Sequence, residues 1–165
     1  MKRLTCPVLL APLFAQAGLA EETPALTPDV FDAIVGDDWS GELTYLNYGA
    51  PVKDFTIPAE LDVERVEQGL KMAYIYPDEP HQNSTVTARI SKDGSKLMGA
   101  PVTLNAMQES GVREIRTEYA CEDMGKPAAC EMIYLLSRDE VVMRKMVTYD
   151  GETEAFRRSV YVFTR

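Results

Sequence analysis

The sequence predicts an all-β protein, an antiparallel up-and-down meander of about eight to ten strands that closes into a barrel behind a short N-terminal helix. Two observations predict this architecture. Apolar and polar residues alternate with a period of two in runs from Trp39 to the C-terminus, and glycine-containing turn dipeptides separate these runs. A meander of this length would expose two sheet edges if it stayed open, which favours closure of the first strand onto the last.

Residues 1–20 have the pattern of a secretory signal peptide. Two bases precede an apolar run, and small residues then give two candidate cleavage positions, after Ala17 or after Ala20. Two prolines interrupt the run, which is also short for a membrane-spanning anchor. We therefore expect a periplasmic or secreted protein with no stable membrane anchor after cleavage, folded as one domain over residues 21–165.

Acidic residues dominate the charge of the chain. It has 26 Asp and Glu against 17 Lys and Arg, a net charge of −9. Loss of residues 1–20 removes two bases and no acid, so the mature net charge would be −11. Such a surface repels phosphate backbones and anionic headgroups, which argues against a nucleic-acid partner and against peripheral membrane binding.

Two cysteines, Cys121 and Cys130, remain after cleavage, in the segment CEDMGKPAAC. Compartments reached by export permit oxidation, and catalytic redox pairs favour the tighter C-x-x-C spacing. We therefore predict a structural disulfide that clips a loop between two strands and stabilises the fold by about 2–3 kcal/mol.

The segment LTPDVFDAIVG predicts the helix, over residues 28–35. Thr27 is a favourable N-cap and Pro28 a favourable first residue. The helix would present one apolar face, formed by Val30, Phe31, Ile34 and Val35.

Only strands are predicted after the helix, the first of them starting at Trp39. The dipeptides Asp93-Gly94 and Asp150-Gly151 are the strongest hairpin signals. The later strands are predicted over 61–67, 70–76, 84–90, 96–98, 102–107, 114–119, 129–137, 140–149 and 155–164.

The start of the first strand, with Gly36, Trp39 and the run GELTYLNY, resembles the first barrel strand of the calycin superfamily, which includes lipocalins and fatty-acid-binding proteins. The resemblance implies a lipocalin-like barrel whose closed end holds a structural Trp beneath an Arg from a late strand. This chain has one residue more between Gly36 and Trp39 than the Gly-x-Trp of lipocalins. Antiparallel pairing of the first and last strands selects Arg165 for the position over Trp39, with Arg158 as the second candidate.

The predicted interior is apolar but carries several tyrosine hydroxyls. It suits a small apolar or amphiphilic ligand, although the same side chains could simply fill the barrel as its core. The resemblance favours binding. The candidate interior residues are Leu43, Tyr45, Met72, Tyr74, Val86, Ala88, Val102, Leu104, Ile115, Tyr119, Met132 and Tyr134.

Three loops would share the open end of the barrel, at 48–59, 77–83 and 121–130, the first of them acting as a lid. The candidate contacts at this entrance are Tyr48, Phe55 and His81.

Catalytic and metal motifs are absent from the sequence. It has one histidine, His81, and lacks both a Gly-x-Ser-x-Gly elbow and paired Cys-x-x-Cys units. We therefore expect no enzymatic activity, no metal and no cofactor, haem with His81 as axial ligand being the one cofactor option. Three hypotheses follow in order: a ligand-binding barrel, a filled barrel acting as a protein-interaction or structural module, and an enzyme acting on a lipid-like substrate.

Overall fold

Ten antiparallel strands form the protein, seen in a computed structural model that describes residues 25–165. The predicted signal peptide therefore lies outside the described residues. A 3₁₀ helix, Pro28–Ile34, precedes the strands. The strands are β1 (Gly36–Asn47), β2 (Lys53–Val66), β3 (Gly69–Ile75), β4 (Ser84–Arg89), β5 (Lys96–Leu97), β6 (Ala100–Met107), β7 (Arg113–Asp123), β8 (Lys126–Leu136), β9 (Glu140–Tyr149) and β10 (Phe156–Thr164).

The strand order confirms the predicted meander. Neighbours in the chain pair with each other, except β4 with β5, and β1 also pairs with β10, which places Leu43 opposite Tyr161. The full order is β4-β3-β2-β1-β10-β9-β8-β7-β6-β5, so the sheet curls until β4 and β5 are its two edges. The predicted all-β antiparallel meander is therefore confirmed, and the barrel that it forms is nearly closed.

The two edges meet over a short distance only. Ile90, directly after β4, forms an isolated bridge with Leu97 of β5. The backbone N–H of Met98 donates to the carbonyl of Arg89 at 2.7 Å, and that of Ser91 to the carbonyl of Lys96 at 2.9 Å. β5 has only two residues, so this contact joins only part of the seam, as we call the line along which the two edges of the sheet face each other.

The closed end of the barrel, which we call the lower end, is built around Trp39. Its side chain is 1% exposed and packs in the same core cluster as Phe31 and Ile34 of the 3₁₀ helix. The indole Nε1 donates to the carbonyl of Ile34 at 2.9 Å. The helix therefore covers the end of the barrel and also satisfies the polar atom of the buried ring.

Arg165 is the arginine that lies over Trp39, with its guanidinium carbon 4.3 Å from the ring centroid. It donates to the carbonyls of Ala33 at 2.8 Å and Arg138 at 2.7 Å, so it also ties the helix to the β8–β9 turn. Arg158, the second candidate, lies elsewhere and is described with the site below.

The extra residue between Gly36 and Trp39 is taken up by a β-bulge. Gly36 pairs with Val63 and Trp39 with Leu61, so β1 carries one residue more than β2 between these pairs. A bulge of this kind re-aims the side chains that follow it, and here it leaves Trp39 facing the core.

Thr27 and Pro28 occupy the predicted N-cap and the start of the helix, although Thr27 makes no capping hydrogen bond through its side chain. Two details of the predicted helix are wrong: its geometry, which is 3₁₀ rather than α, and the position of Val35. Val35, placed on the apolar face from the sequence, lies beyond the helix and is exposed. A 3₁₀ helix has about three residues per turn, so apolar residues spaced for the 3.6-residue turn of an α-helix do not share one face of this seven-residue segment.

Two predicted loops are strands instead. Residues 53–59, taken as part of a lid, belong to β2. Residues 121–130 form the end of β7, a two-residue turn at Met124-Gly125 and the start of β8. Both turn residues have positive φ, 51° and 74°, which is the geometry of a tight hairpin.

The Cys121–Cys130 disulfide is confirmed, with the two Cα atoms 5.8 Å apart. It joins two paired strands diagonally, because Cys121 is opposite Ala128 and Tyr119 is opposite Cys130. The disulfide therefore staples a hairpin rather than clipping a loop.

Leu104 was expected inside the barrel and is not on the inner face. A register shift separates the pairs Val102–Thr117 and Leu104–Arg116. Because directly opposed residues share a face of the sheet, this bulge places Leu104 with Arg116, and the buried side chain next in line is Asn105.

Candidate functional site

A cavity of about 690 Å³ lies inside the barrel. This volume is within the range of small-molecule sites. Its walls come from β3, β4, the β5–β6 turn and β6 to β10, and they are lined by Met72, Tyr74, Ser84, Val86, Met98, Gly99, Ala100, Thr117, Tyr119, Met132, Tyr134, Met143 and Tyr161.

Strand pairing explains why these side chains converge. Met132 is opposite Thr117, Tyr134 is opposite Met143, and Met143 is in turn opposite Tyr161. Directly opposed residues point to one face of a sheet, and alternate residues along a strand share that face. One inward row therefore crosses β7, β8, β9 and β10 at the height of the cavity.

The cavity opens through the side of the barrel. β6 first pairs with β7 at Val102–Thr117, so residues 118–123 of β7 extend beyond the β6–β7 ladder. Met98 and Gly99 form the tight β5–β6 turn, with φ values of 54° and 85°. This turn and the start of β4 border a gap that we call the side opening, whose exposed residues are Ser84, Met98, Gly99 and Tyr119.

Two of the cavity tyrosines have partners for their hydroxyls. Tyr74 donates to the thioether sulfur of Met143 at 3.4 Å and lies 3.8 Å from that of Met72. The hydroxyls of Tyr161 and Tyr76 are 2.6 Å apart. Burial raises the pKa of both Tyr74 and Tyr161, so both are protonated at neutral pH.

The hydroxyl of Tyr134 has no hydrogen-bond partner among residues 25–165, although its side chain is only 8% exposed. Burial raises the pKa of Tyr134 to about 12, which keeps the phenol protonated. Thr117 beside it is 2% exposed and likewise unpartnered within the described chain. No buried side-chain oxygen or nitrogen among the described residues lacks a hydrogen bond, so these two unpartnered hydroxyls are accessible from the cavity that their residues line. Each is therefore free to bond a molecule in the cavity.

The upper end of the barrel is closed by a polar cluster. Asp123 accepts hydrogen bonds from the hydroxyls of Tyr48 at 2.5 Å and Tyr149 at 2.9 Å, and from Nε of Arg158 at 2.9 Å. Arg158 also donates to the carbonyl of Leu46 at 2.6 Å. We call Tyr48, Asp123, Tyr149 and Arg158 the upper cluster.

The upper cluster fastens β1, β7, β9 and β10 together at their upper ends. Burial would raise the pKa of Asp123, but its hydrogen bonds from Tyr48, Tyr149 and Arg158 outweigh burial and lower it. Tyr48 is therefore part of a closure and not of an open entrance. Arg158 pairs with Asp123 and with the Tyr48 ring, 4.9 Å away, rather than with Trp39.

The remaining candidates lie outside the main cavity. Tyr45 lines a smaller pocket of about 320 Å³, and the bonded Tyr76–Tyr161 pair lies between this pocket and the cavity. Phe55 is exposed on β2 and stacks on Tyr45. His81 is exposed in a second, three-residue 3₁₀ helix, Pro80–Gln82, and is not among the residues that line either space.

Tyr74, Tyr119 and Tyr134 are the candidates that the structure brings together, and sequence reasoning missed several of their neighbours. Met143 and Tyr161 could have been found, because each lies two positions from an apolar residue, Val141 or Phe163, on the same face of its strand. The turn residues Met98 and Gly99 could not be found from the alternation, because they belong to no strand. They line the cavity only because β5 ends at Leu97.

No group of His, Cys, Asp or Glu within the described part of the chain has the arrangement of a metal site. Nor is any helix in that part long and apolar enough to cross a membrane. No protein-family model matches the chain, and no curated protein matches it.

Proposed function

We propose that this chain is an exported, lipocalin-like barrel protein that binds a small apolar or amphiphilic molecule in its cavity. One observation carries the proposal: an interior space of about 690 Å³ is lined by Tyr134, whose hydroxyl has no hydrogen-bond partner among residues 25–165. A barrel whose side chains serve only as core fills its interior. The space and its free polar atom favour a binding role over a filled interaction module.

An enzyme acting on a lipid-like substrate is the less favoured alternative. Among residues 25–165 the cavity lining offers the hydroxyls of Ser84, Thr117 and four tyrosines, but no His, Asp, Glu or Lys that could serve as a general base beside them. Binding requires only the shape and polarity of the lining, and these are present.

Probe binding to the isolated protein tests the proposal. The probe is N-phenyl-1-naphthylamine, an uncharged dye whose fluorescence rises in apolar surroundings. Val86 lines the cavity on β4, whereas its neighbour Thr85 is exposed and is not among the lining residues. We expect saturable binding that Val86→Trp weakens by about tenfold or more and that Thr85→Trp leaves within about twofold.

Native mass spectrometry of protein purified from its own host provides a second readout. A retained mass of a few hundred daltons is expected. If the protein shows no saturable probe binding and retains no small molecule, the binding proposal is wrong. A co-purifying protein in that case would support the interaction module instead.

A further inference from the structure

The lining of the cavity contains no charged residue among residues 25–165. A carboxylate or phosphate entering the cavity would lose its hydration without meeting a cation, which is strongly unfavourable. The net charge of −9 adds a general repulsion of anions. The lining therefore discriminates against fatty acids and other anionic amphiphiles.

The polar atoms that remain for a ligand are hydroxyls. Tyr74 and Tyr161 already have partners, whereas the hydroxyls of Tyr134 and Thr117 are unpartnered within the described chain. The protonated phenol of Tyr134 is the more acidic of these two donors. Its natural complement is an acceptor oxygen on the ligand.

The apolar part of the lining is rich in rings and thioethers. Four tyrosines and four methionines contribute to it, among them Met132, two residues before Tyr134 on β8, and Met143, directly opposite Tyr134 on β9. Thioether sulfur makes favourable contacts with aromatic rings, and tyrosine rings stack on other rings in offset or tilted geometry. Such a wall suits a flat ring system better than a flexible alkyl chain.

We infer that the cavity selects an uncharged, ring-containing molecule with a carbonyl-type oxygen, which accepts a hydrogen bond from the Tyr134 hydroxyl after the molecule enters through the side opening. This inference rests on the proposed binding function and narrows its ligand class. Tyr134 is a binding residue in this scheme, and Met98 and Tyr119 border the path of entry.

Three compounds of one shape test the ligand class by displacement of N-phenyl-1-naphthylamine: 2-acetylnaphthalene, 2-ethylnaphthalene and 2-naphthoate. The wild-type protein should bind the naphthoate at least about tenfold more weakly than the ketone. Tyr134→Phe should weaken ketone binding by about fivefold and change hydrocarbon binding by less than about twofold. Tyr45→Phe is the matched control, because Tyr45 lines the separate smaller pocket, and it should change none of the three.

The outcomes separate the inference from the proposed function. If the probe binds but the naphthoate equals the ketone, or if Tyr134→Phe affects ketone and hydrocarbon equally, the inferred ligand class is wrong and binding itself stands. If neither the probe nor any of the three compounds binds, the proposed function fails together with the inference.

Discussion

The two ends of the barrel are closed by different chemistry. At the lower end Trp39, Leu61 and Phe163 are essentially fully buried, and one arginine covers the indole ring. At the upper end a buried carboxylate, Asp123, gathers two tyrosine hydroxyls and Arg158. The lower closure therefore depends mainly on packing, and the upper closure on hydrogen bonds to a charge.

This difference shows how one alternating pattern can form a sealed end and a cavity in one barrel. At the lower end the 3₁₀ helix adds Phe31 and Ile34 to the buried side chains of the strands, and together they form one packed core cluster. Higher in the barrel, side chains of strands and the β5–β6 turn line the interior, and within residues 25–165 β4 does not pair with β6 above the Ile90–Leu97 bridge. The following predictions test the contrast, from the largest expected effect to the smallest.

Replacing Trp39 should have the largest effect on stability. Trp39→Ala removes a fully buried ring, its hydrogen bond to Ile34 and the surface on which Arg165 lies. We expect the free energy of unfolding to fall by about 3–5 kcal/mol, measured by urea denaturation.

Coupling with Arg165 provides the control for that prediction. Arg165→Ala should cost less, and the double variant should lose less than the sum of the two single losses because the residues share one contact. The native protein should also show blue-shifted Trp39 emission that iodide quenches poorly. Strictly additive losses, or solvent-like emission, would contradict the cation–π closure of the lower end.

Removing the disulfide should weaken the upper half. Cys121→Ser combined with Cys130→Ser opens a bridge between residues nine apart in the sequence. The chain-entropy estimate for such a loop gives a loss of about 2–3 kcal/mol. Thermal unfolding of the variant should match that of the reduced wild-type protein, and equal stability of the oxidised and reduced wild type would refute the prediction.

Asp123→Asn should lower the free energy of unfolding by about 2 kcal/mol at neutral pH. Arg158 and the two tyrosine hydroxyls then lose a charged acceptor, although the amide keeps one acceptor oxygen. Urea denaturation measures the loss. Glu118→Gln, an exposed carboxyl on the same strand, should change stability by less than about 0.5 kcal/mol.

The contribution of Asp123 should also depend on pH. Its pKa is lowered in the folded protein, so the stabilisation is fully present above the unfolded value of about 3.9 and is lost as the pH falls below it through the folded pKa. The difference between wild type and Asp123→Asn should therefore shrink below about pH 4. A difference that stays constant from pH 7 to pH 3 would show that the charge is not what closes the upper end.

Truncation at the cavity wall should have the smallest effect. Met132→Ala should lower the free energy of unfolding by only about 1 kcal/mol, since one side of Met132 faces the cavity and has few contacts to lose. Leu61→Ala, at a fully buried position of the lower end, should lower it by about 3 kcal/mol. Equal losses at the two positions, measured by urea denaturation, would mean that the interior is as tightly packed at the cavity as at Trp39.

Much of the barrel was predictable because strand signals are local. Period-two alternation located most strands from β3 to β10, and the Asp-Gly turns were recognised. The strands β7 and β8 were predicted too short, with a loop at 121–130 in place of the tight turn, because that turn is Met124-Gly125 and methionine seldom occupies a positive-φ turn position. Leu104 was misplaced because a bulge that reverses inner and outer faces leaves no mark in the alternation.

The candidate site was predictable only in part. Tyr74, Tyr119 and Tyr134 follow from the inward faces of their strands, and all three line the cavity. The upper cluster could not be foreseen, because Tyr48 and Asp123 are 75 residues apart and meet only through the curvature of the sheet.

The sequence by itself determined the all-β class, the order of the meander and the chemical character of the interior, since each depends on residue type and near neighbours. Only the tertiary structure decided where the interior stays empty, which tyrosine hydroxyl lacks a partner and where the barrel opens. These properties depend on the volume left between distant strands and on the point at which the two-residue strand β5 stops pairing. A local pattern cannot encode them, because similar inward side chains pack with the helix into one core cluster at the lower end and line a cavity higher in the barrel.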